Sequence, residues 1–186
     1  NPSVPWRASR PGTLNELALS PLRKAMAGLQ YAFMRKGPLA GISTLAGVFT
    51  RTDPRFDRPD LQMNIFLWSI ERRGSSGFYT HEWPGFTISP LHLRPEGRAR
   101  VSLKSPDPMS PPRIEFRFLE TAYDIDAMLF GMRLARRIGE QPALKPLIAG
   151  EVQPGAHVTS DEAMIADLRQ RGVSNLHPVG TCRMGR

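Results

Sequence analysis

The chain has 186 residues, enough for one sizeable core or two small ones, and its 40% hydrophobic and 23% charged composition is that of a folded globular protein. A formal net charge of +8 invites a nucleic-acid reading, but the 25 basic residues are scattered among acids with no run longer than two, and no nucleic-acid motif occurs. A single cysteine excludes an internal disulfide framework, no Cys/His cluster has zinc-ligand spacing, and no apolar run is long enough for a membrane-spanning helix.

Residues 1–12 carry three prolines and read as an irregular lead-in without the apolar core of a signal peptide. From Thr13 to Arg35 the apolar residues Leu14, Leu17, Leu19, Leu22, Met26, Leu29 and Phe33 recur mostly at threes and fours, which is helical spacing. Pro21 inside that run predicts a short first turn, then a helix starting near Ser20 with Pro21 in its tolerated first position. Lys36 and Gly37 suit its end. Residues 37–41 form a turn, and the small-residue stretch 42–50 reads as a strand or a closely packed loop.

After a charged connection over residues 51–60, Leu61 to Trp68 reads as a strand with Leu61, Met63, Ile65 and Leu67 on one face. Phe66 and Trp68 fall on the other face, where core packing is the plain reading and lining of an active site the sharper one. Gly74-Ser75-Ser76-Gly77 reads as an exposed loop. Phe86 to Leu93 is a further strand, interrupted or ended near Pro90. Ala99, Val101 and Leu103 alternate with Arg98, Arg100, Ser102 and Lys104, and Ile114, Phe116 and Phe118 alternate with Glu115 and Arg117. These are two antiparallel partners with one face for a core and one for water, joined by a proline-rich connection. On that pattern Arg98 and Arg100 solvate a sheet and do not clamp a phosphate.

Residues 122–139 form the best-specified helix: Thr121 can cap it, Asp124 and Asp126 suit its start, and Arg133, Arg136 and Arg137 its end. A short helix is expected at 142–148, ending at Gly150, then a loop with an exposed His157. Thr159 and Glu162 make a capping box for a helix to Arg171, stopped by Gly172. The predicted fold is α+β: an antiparallel sheet including 61–68, 86–93, 98–104 and 114–118, flanked on one side by the helices 122–139 and 160–171.

The last ten residues, His177-Pro178-Val179-Gly180-Thr181-Cys182-Arg183-Met184-Gly185-Arg186, form a shaped loop of the kind that carries chemistry when a rigid scaffold holds it. The run HPVGTCRMG resembles the signature of the glucose–methanol–choline (GMC) oxidoreductases, flavoenzymes that oxidise alcohols. The strand, Asp-Pro turn and Pro-Pro-Arg-Ile step over 97–118, the helix ending MRLARRIGEQPAL, and Thr159-Ser160-Asp161-Glu162 follow in family order. The resemblance divides the chain into 1–87, the end of the family's N-terminal region with a substrate-domain segment, and 88–186, a truncated C-terminal domain. No glycine-rich strand–turn–helix of a Rossmann unit is present, so a fragment without the FAD-binding half is expected; the missing initial methionine and the stop after Arg186 point the same way.

The family implies FAD as cofactor, a small-molecule alcohol as substrate and His177 as the catalytic base; the electron acceptor stays open. Histidine suits the base because its ordinary pKa, about 6.5, lies near neutrality. Leu176, Leu45 and Phe66 are the candidate substrate-lining residues, and Pro178 and Val179 the candidate flavin contacts. Burial alone is an equal reading for Leu176. Choline-oxidising members carry a glutamate where Leu45 stands here, and a quaternary ammonium needs an anion or an aromatic box, so choline itself is not the expected substrate. Cys182 has no second histidine in the motif and reads as packing. No metal site and no nucleic-acid partner are expected. The expected location is the cytoplasm, with peripheral association with a membrane left open. The alternative is a non-catalytic fragment or interaction module derived from the same family.

Overall fold

Alternating apolar residues at 61/63 and 86/88 demand a covered sheet face, and the helical stripe Met128, Leu129, Met132, Ala135 supplies the cover. In the computed structural model, which describes residues 2–74, 77–175 and 177, those elements meet in this way. The strands are β1 (Val4–Ala8), β2 (Thr44–Thr50), β3 (Leu61–Phe66), β4 (Ile70–Gly74), β5 (Gly77–Thr80), β6 (Gly85–His92), β7 (Arg100–Ser102), β8 (Arg113–Glu115) and β9 (Ile148–Glu151). The α-helices are α1 (Leu14–Leu19), α2 (Pro21–Met34), α3 (Ala122–Gly139) and α4 (Asp161–Arg171), with short 3-10 turns at Pro38–Ala40 and Lys145–Leu147. One five-stranded sheet has the order β2-β3-β6-β1-β9, every neighbouring pair antiparallel.

Val4, Trp6, Leu61, Met63, Phe86 and Ile88 from the sheet pack against Met128, Leu129, Met132 and Ala135 of α3 and Met164 and Leu168 of α4. Burying each such side chain contributes roughly 1.5–3 kcal/mol. Close approach of α3 to the sheet depends on Gly131: a Cβ there would lie 2.6 Å from Cβ of Pro90 and 3.3 Å from Cδ1 of Leu61. Arg136 then ties α3 to β9. Its Nε and Nη2 donate to the two carboxylate oxygens of Glu151, both at 2.9 Å, and its Nη1 donates to the Val158 carbonyl at 2.8 Å. A second tie is Asn15, fully buried, which bonds Ser69 and the carbonyls of His81 and Trp83 and pins α1 to the β4–β5 hairpin and the start of β6.

Several sequence readings held in detail. Ser20 caps α2 by accepting from the Arg23 N–H, with Pro21 in the first position, and Thr121 caps α3 by accepting from the Asp124 N–H. Others need correction. The lead-in is a central strand: Val4 and Trp6 are core residues. Pro5 is accommodated because it lies just beyond the β1–β9 ladder, which begins at Trp6↔Glu151, so its missing N–H costs little while its carbonyl still accepts from the Val152 N–H. β6 does not stop at Pro90. The β1 ladder ends at Val4↔Ile88, so Pro90 pairs only with β3, through Met63, and a missing N–H on an unpaired side costs little. The segment ending at Gly150 is a 3-10 turn followed by β9. The cap of α4 is Ser160, which accepts from the Ala163 N–H. Strands β7 and β8 pair as expected, but as a separate two-stranded arm outside the main sheet, and its apolar face (Val101, Ile114, Phe116, Phe118) is exposed.

Candidate functional site

α4 ends at Gly172 and delivers the chain to His177, whose imidazole is exposed. Leu176, Pro178 and Val179 lie outside the described residues, as do Cys182 and the rest of the terminal run. Leu45 and Phe66 are brought together. They sit where β2 and β3 meet, in a ladder that pairs Thr44 with Phe66 and Ala46 with Ile65, so that Leu45 occupies the irregularity opposite Phe66. Leu45 is 64% exposed, and Phe66 is half-buried with its ring edge-on to Trp68, centroids 6.4 Å apart. No described hydrogen bond or ion pair links His177 to this pair.

A polar cluster that sequence reasoning missed lies under the ends of β2, β3 and β6. Asp60 is fully buried just before β3; it accepts from the Thr52 N–H at 2.7 Å, from the Thr52 hydroxyl and from the Tyr123 hydroxyl at 2.9 Å. Burial works to raise the Asp60 pKa, but the bonds from Thr52 and Tyr123 outweigh it and hold the carboxyl below its usual range. Tyr123 is pushed up to about 12 by its burial and by the Asp60 carboxylate it serves. His92 closes β6 with Nδ1 3.5 Å from Asp124 Oδ1, its ring edge-on to Tyr123 at 5.0 Å, and Nε2 buried without a hydrogen-bond partner among the described residues. Burial pushes the His92 pKa down, against the attraction of Asp124, Asp60 and Glu96.

Asp124 accepts from the Glu96 and Gly97 N–H groups at 2.8 and 2.9 Å, so the cluster also anchors the root of the β7–β8 arm. It is a structural fastener for five segments: no solvent-open face gives a substrate access to Asp60, which is fully buried. One signal was available in the sequence. Phe86, Ile88, Pro90 and His92 share one parity, which puts His92 on the core side of its strand.

A flavin dinucleotide needs free N–H groups at a helix N-terminus for its pyrophosphate. Among the described residues α1, α3 and α4 each carry an acid in the first turn (Glu16, Asp124, Asp161 with Glu162), and α2 opens on Pro21, which has no N–H. The described ladders are all antiparallel, with none of the parallel pairing on which a dinucleotide-binding turn is built. The described residues therefore do not fit FAD's pyrophosphate. Among them no group of three or more His, Cys, Asp or Glu side chains could hold a metal ion, and no helix is long and apolar enough to cross a membrane.

Residues 95–186 match the C-terminal domain of the family described as GMC oxidoreductase. The chain is 36% identical over 174 residues to an alcohol dehydrogenase (acceptor) of Pseudomonas putida, a match that covers 91% of this chain and 30% of that protein. It is 35% identical over 158 residues to an oxygen-dependent choline dehydrogenase of a Pseudomonas putida strain, covering 85% of this chain and 27% of the relative. The chain thus spans less than a third of the length of these relatives. Among solved structures, pyridoxine 4-oxidase from Mesorbium loti superposes with a TM-score of 0.71 at 18% identity, over 99% of this chain and 31% of that one. A formate oxidase from Aspergillus oryzae RIB40, in a structure concerned with FAD modification, superposes with a TM-score of 0.70 at 16% identity, over 91% of this chain and 34% of that one. These likenesses establish the fold: an antiparallel sheet with helices, as expected.

Proposed function

Since the chain belongs to the GMC oxidoreductase family, as a part of a longer family member, we propose that it is the substrate-side portion of an FAD-dependent enzyme that oxidises an alcohol to an aldehyde or ketone. The observation that carries this reading is the family domain over residues 95–186, together with relatives named for alcohol and choline oxidation. In this reading residues 1–87 complete the substrate-domain segment and 88–186 form the truncated C-terminal domain. Bound by the remainder of the polypeptide, FAD would accept the hydride from the carbinol carbon.

This chain's own contribution is proton removal. The imidazole of His177 takes the hydroxyl proton of the alcohol, which requires a ring nitrogen within hydrogen-bond reach of that oxygen. Leu176, Leu45 and Phe66 shape the alcohol pocket, and Pro178 and Val179 set the loop against the flavin. Leu45 opposite Phe66 offers no anion for a quaternary ammonium, which favours an uncharged alcohol over choline.

The test uses the full-length polypeptide with bound FAD and stopped-flow reduction by a primary alcohol. His177→Ala should slow reduction by about 10²–10⁴, the usual contribution of a general base. An unchanged rate would refute the assignment. The 186 residues alone should bind no FAD and oxidise no alcohol; stoichiometric binding by them would overturn this placement of the cofactor site.

A further inference from the structure

Helix α2 is amphipathic by sequence, yet among the described residues its apolar stripe lies exposed. Leu22, Met26, Leu29 and Phe33 are spaced by four, three and four residues, which places them on one stripe about 60° wide. Their exposures are 70%, 61%, 59% and 83%, while Ala27, on another side, is the buried residue of the helix. The turn that follows extends the patch with Leu39 at 51% and Ile42 at 85%. Six large apolar side chains on one contiguous segment are far more than the single exposed residues a soluble surface normally scatters.

The charges around the patch are of one sign. Between Glu16 and Asp53 the sequence has no acid and carries Arg23, Lys24, Arg35, Lys36 and Arg51. Lys24 stands opposite the stripe, and Arg35 and Lys36 close the helix. Arg23 reaches back to Glu16 at 3.0 Å, the acid that bounds the segment. With Glu16 paired to Arg23, the remaining charges of this segment are all cations. An apolar stripe on a cationic helix suits a surface that is apolar inside and anionic at its rim, the character of an anionic lipid bilayer. A second copy of the same segment would meet it with cations of the same sign and no acid to offset them, which opposes self-association.

We propose that residues 22–42 form a peripheral membrane-docking surface, with the α2 stripe and Ile42 entering the interface of an anionic bilayer and Lys24, Arg35 and Lys36 at headgroup level. This goes beyond the oxidoreductase reading and does not rest on it. None of the residues tested below has a role in the proposed alcohol chemistry.

The experiment is sedimentation of the full-length polypeptide with vesicles of phosphatidylcholine alone, or with about one-third phosphatidylglycerol, at low and high salt. Binding should require the anionic lipid and weaken with salt. Leu29→Ser with Phe33→Ser should weaken it about a hundredfold, roughly tenfold for each buried side chain lost. Lys24→Glu with Lys36→Glu, at two exposed positions where folding is not at risk, should weaken it at least about tenfold and abolish the preference for anionic lipid. Lack of sedimentation with either vesicle overturns the proposal. So does a dimer that Leu29→Ser with Phe33→Ser dissolves, which would make a second copy the occupant. Strong hydrogen-exchange protection of residues 22–33 without vesicles also overturns it, because the remainder of the polypeptide would then cover the stripe.

Discussion

Replacing Asn15 with Ala isolates one fastener. Asn15 and Ser69 are both fully buried. The Asn15 carbonyl oxygen accepts from the Ser69 N–H at 2.9 Å, and its amide nitrogen lies 3.2 Å from the Ser69 carbonyl, 3.1 Å from the Ser69 hydroxyl, 3.0 Å from the His81 carbonyl and 3.1 Å from the Trp83 carbonyl. An amide nitrogen has two hydrogens, so it serves about two of those four acceptors at a time. Alanine removes about three bonds, each worth about 1 kcal/mol net, and strands the buried Ser69 N–H at a further cost of about 1–3 kcal/mol. The better helix propensity of Ala returns about 0.7 kcal/mol at most. The expected net loss is about 3–5 kcal/mol, read as a lower urea midpoint with an unchanged slope. Asn15→Asp is a sharper control, because a carboxylate has no hydrogens to offer and faces three carbonyl oxygens; it should cost at least as much. A loss below about 1 kcal/mol for Ala, or a milder effect for Asp, would refute the reasoning.

Two further outcomes follow from the core. Met132→Ala, at a residue 1% exposed between α3 and the sheet, should lose about 2–5 kcal/mol in the same urea assay. Gly131→Ala sets a propensity gain of about 1 kcal/mol against a Cβ placed 2.6 Å from Pro90; overpacking costs about 1–3 kcal/mol, so net destabilisation of about 1 kcal/mol is expected, and a higher melting temperature would show that α3 can shift.

Much of the scaffold was legible because its signals are local. α3 announces itself through Thr121, Asp124 and a stripe of apolar residues, and β3 and β6 through strict alternation. β1 was not legible, since Pro5, which has no N–H to donate, argues against a central strand unless the ladder is known to end beside it. β9 was hidden by Ala149 and Gly150, which carry no β preference. For α2 and for the β7–β8 arm, periodicity disclosed the element and its apolar face but not what covers that face: alternation demands a neighbour without naming one. The site divides in the same way. His177 is visible through the motif that follows it, whereas Asp60, His92 and the adjacent pair Tyr123 and Asp124 come from three separate segments, and only the parity of His92 hinted at burial.

That cluster makes stability depend on pH in two separable windows. Protonation of His92 is disfavoured because it would place a second N–H, on Nε2, in a buried position with no acceptor among the described residues. Burial lowers its pKa even though the facing carboxylates Asp124, Asp60 and Glu96 attract a proton, and the Tyr123 hydroxyl is committed to Asp60. The unfolded chain takes up a proton as pH falls through about 6.5, the ordinary histidine value, while the folded chain does not. Stability is therefore full above that pH and is lost as pH falls toward the lowered folded value, by up to about 1.4 kcal/mol per pH unit per group. His81, stacked on Trp83 with its centroid 4.1 Å away, is lowered chiefly by burial as well, with Glu71 opposing, and adds to the same window. Asp60, whose pKa is also depressed, gives stability that is present above about pH 4 and lost only as pH falls through its folded value. His92→Phe keeps an aromatic ring beside Tyr123 and removes the titration; Asp124 retains its bonds from Glu96 and Gly97. Urea unfolding from about pH 7 down to pH 5 should show a smaller fall in stability for this variant, with the His81 share remaining, and the steeper loss below about pH 4 should persist. An unchanged slope between about pH 7 and 5 would mean that His92 takes up its proton in the folded state, which contradicts the buried, unpartnered Nε2.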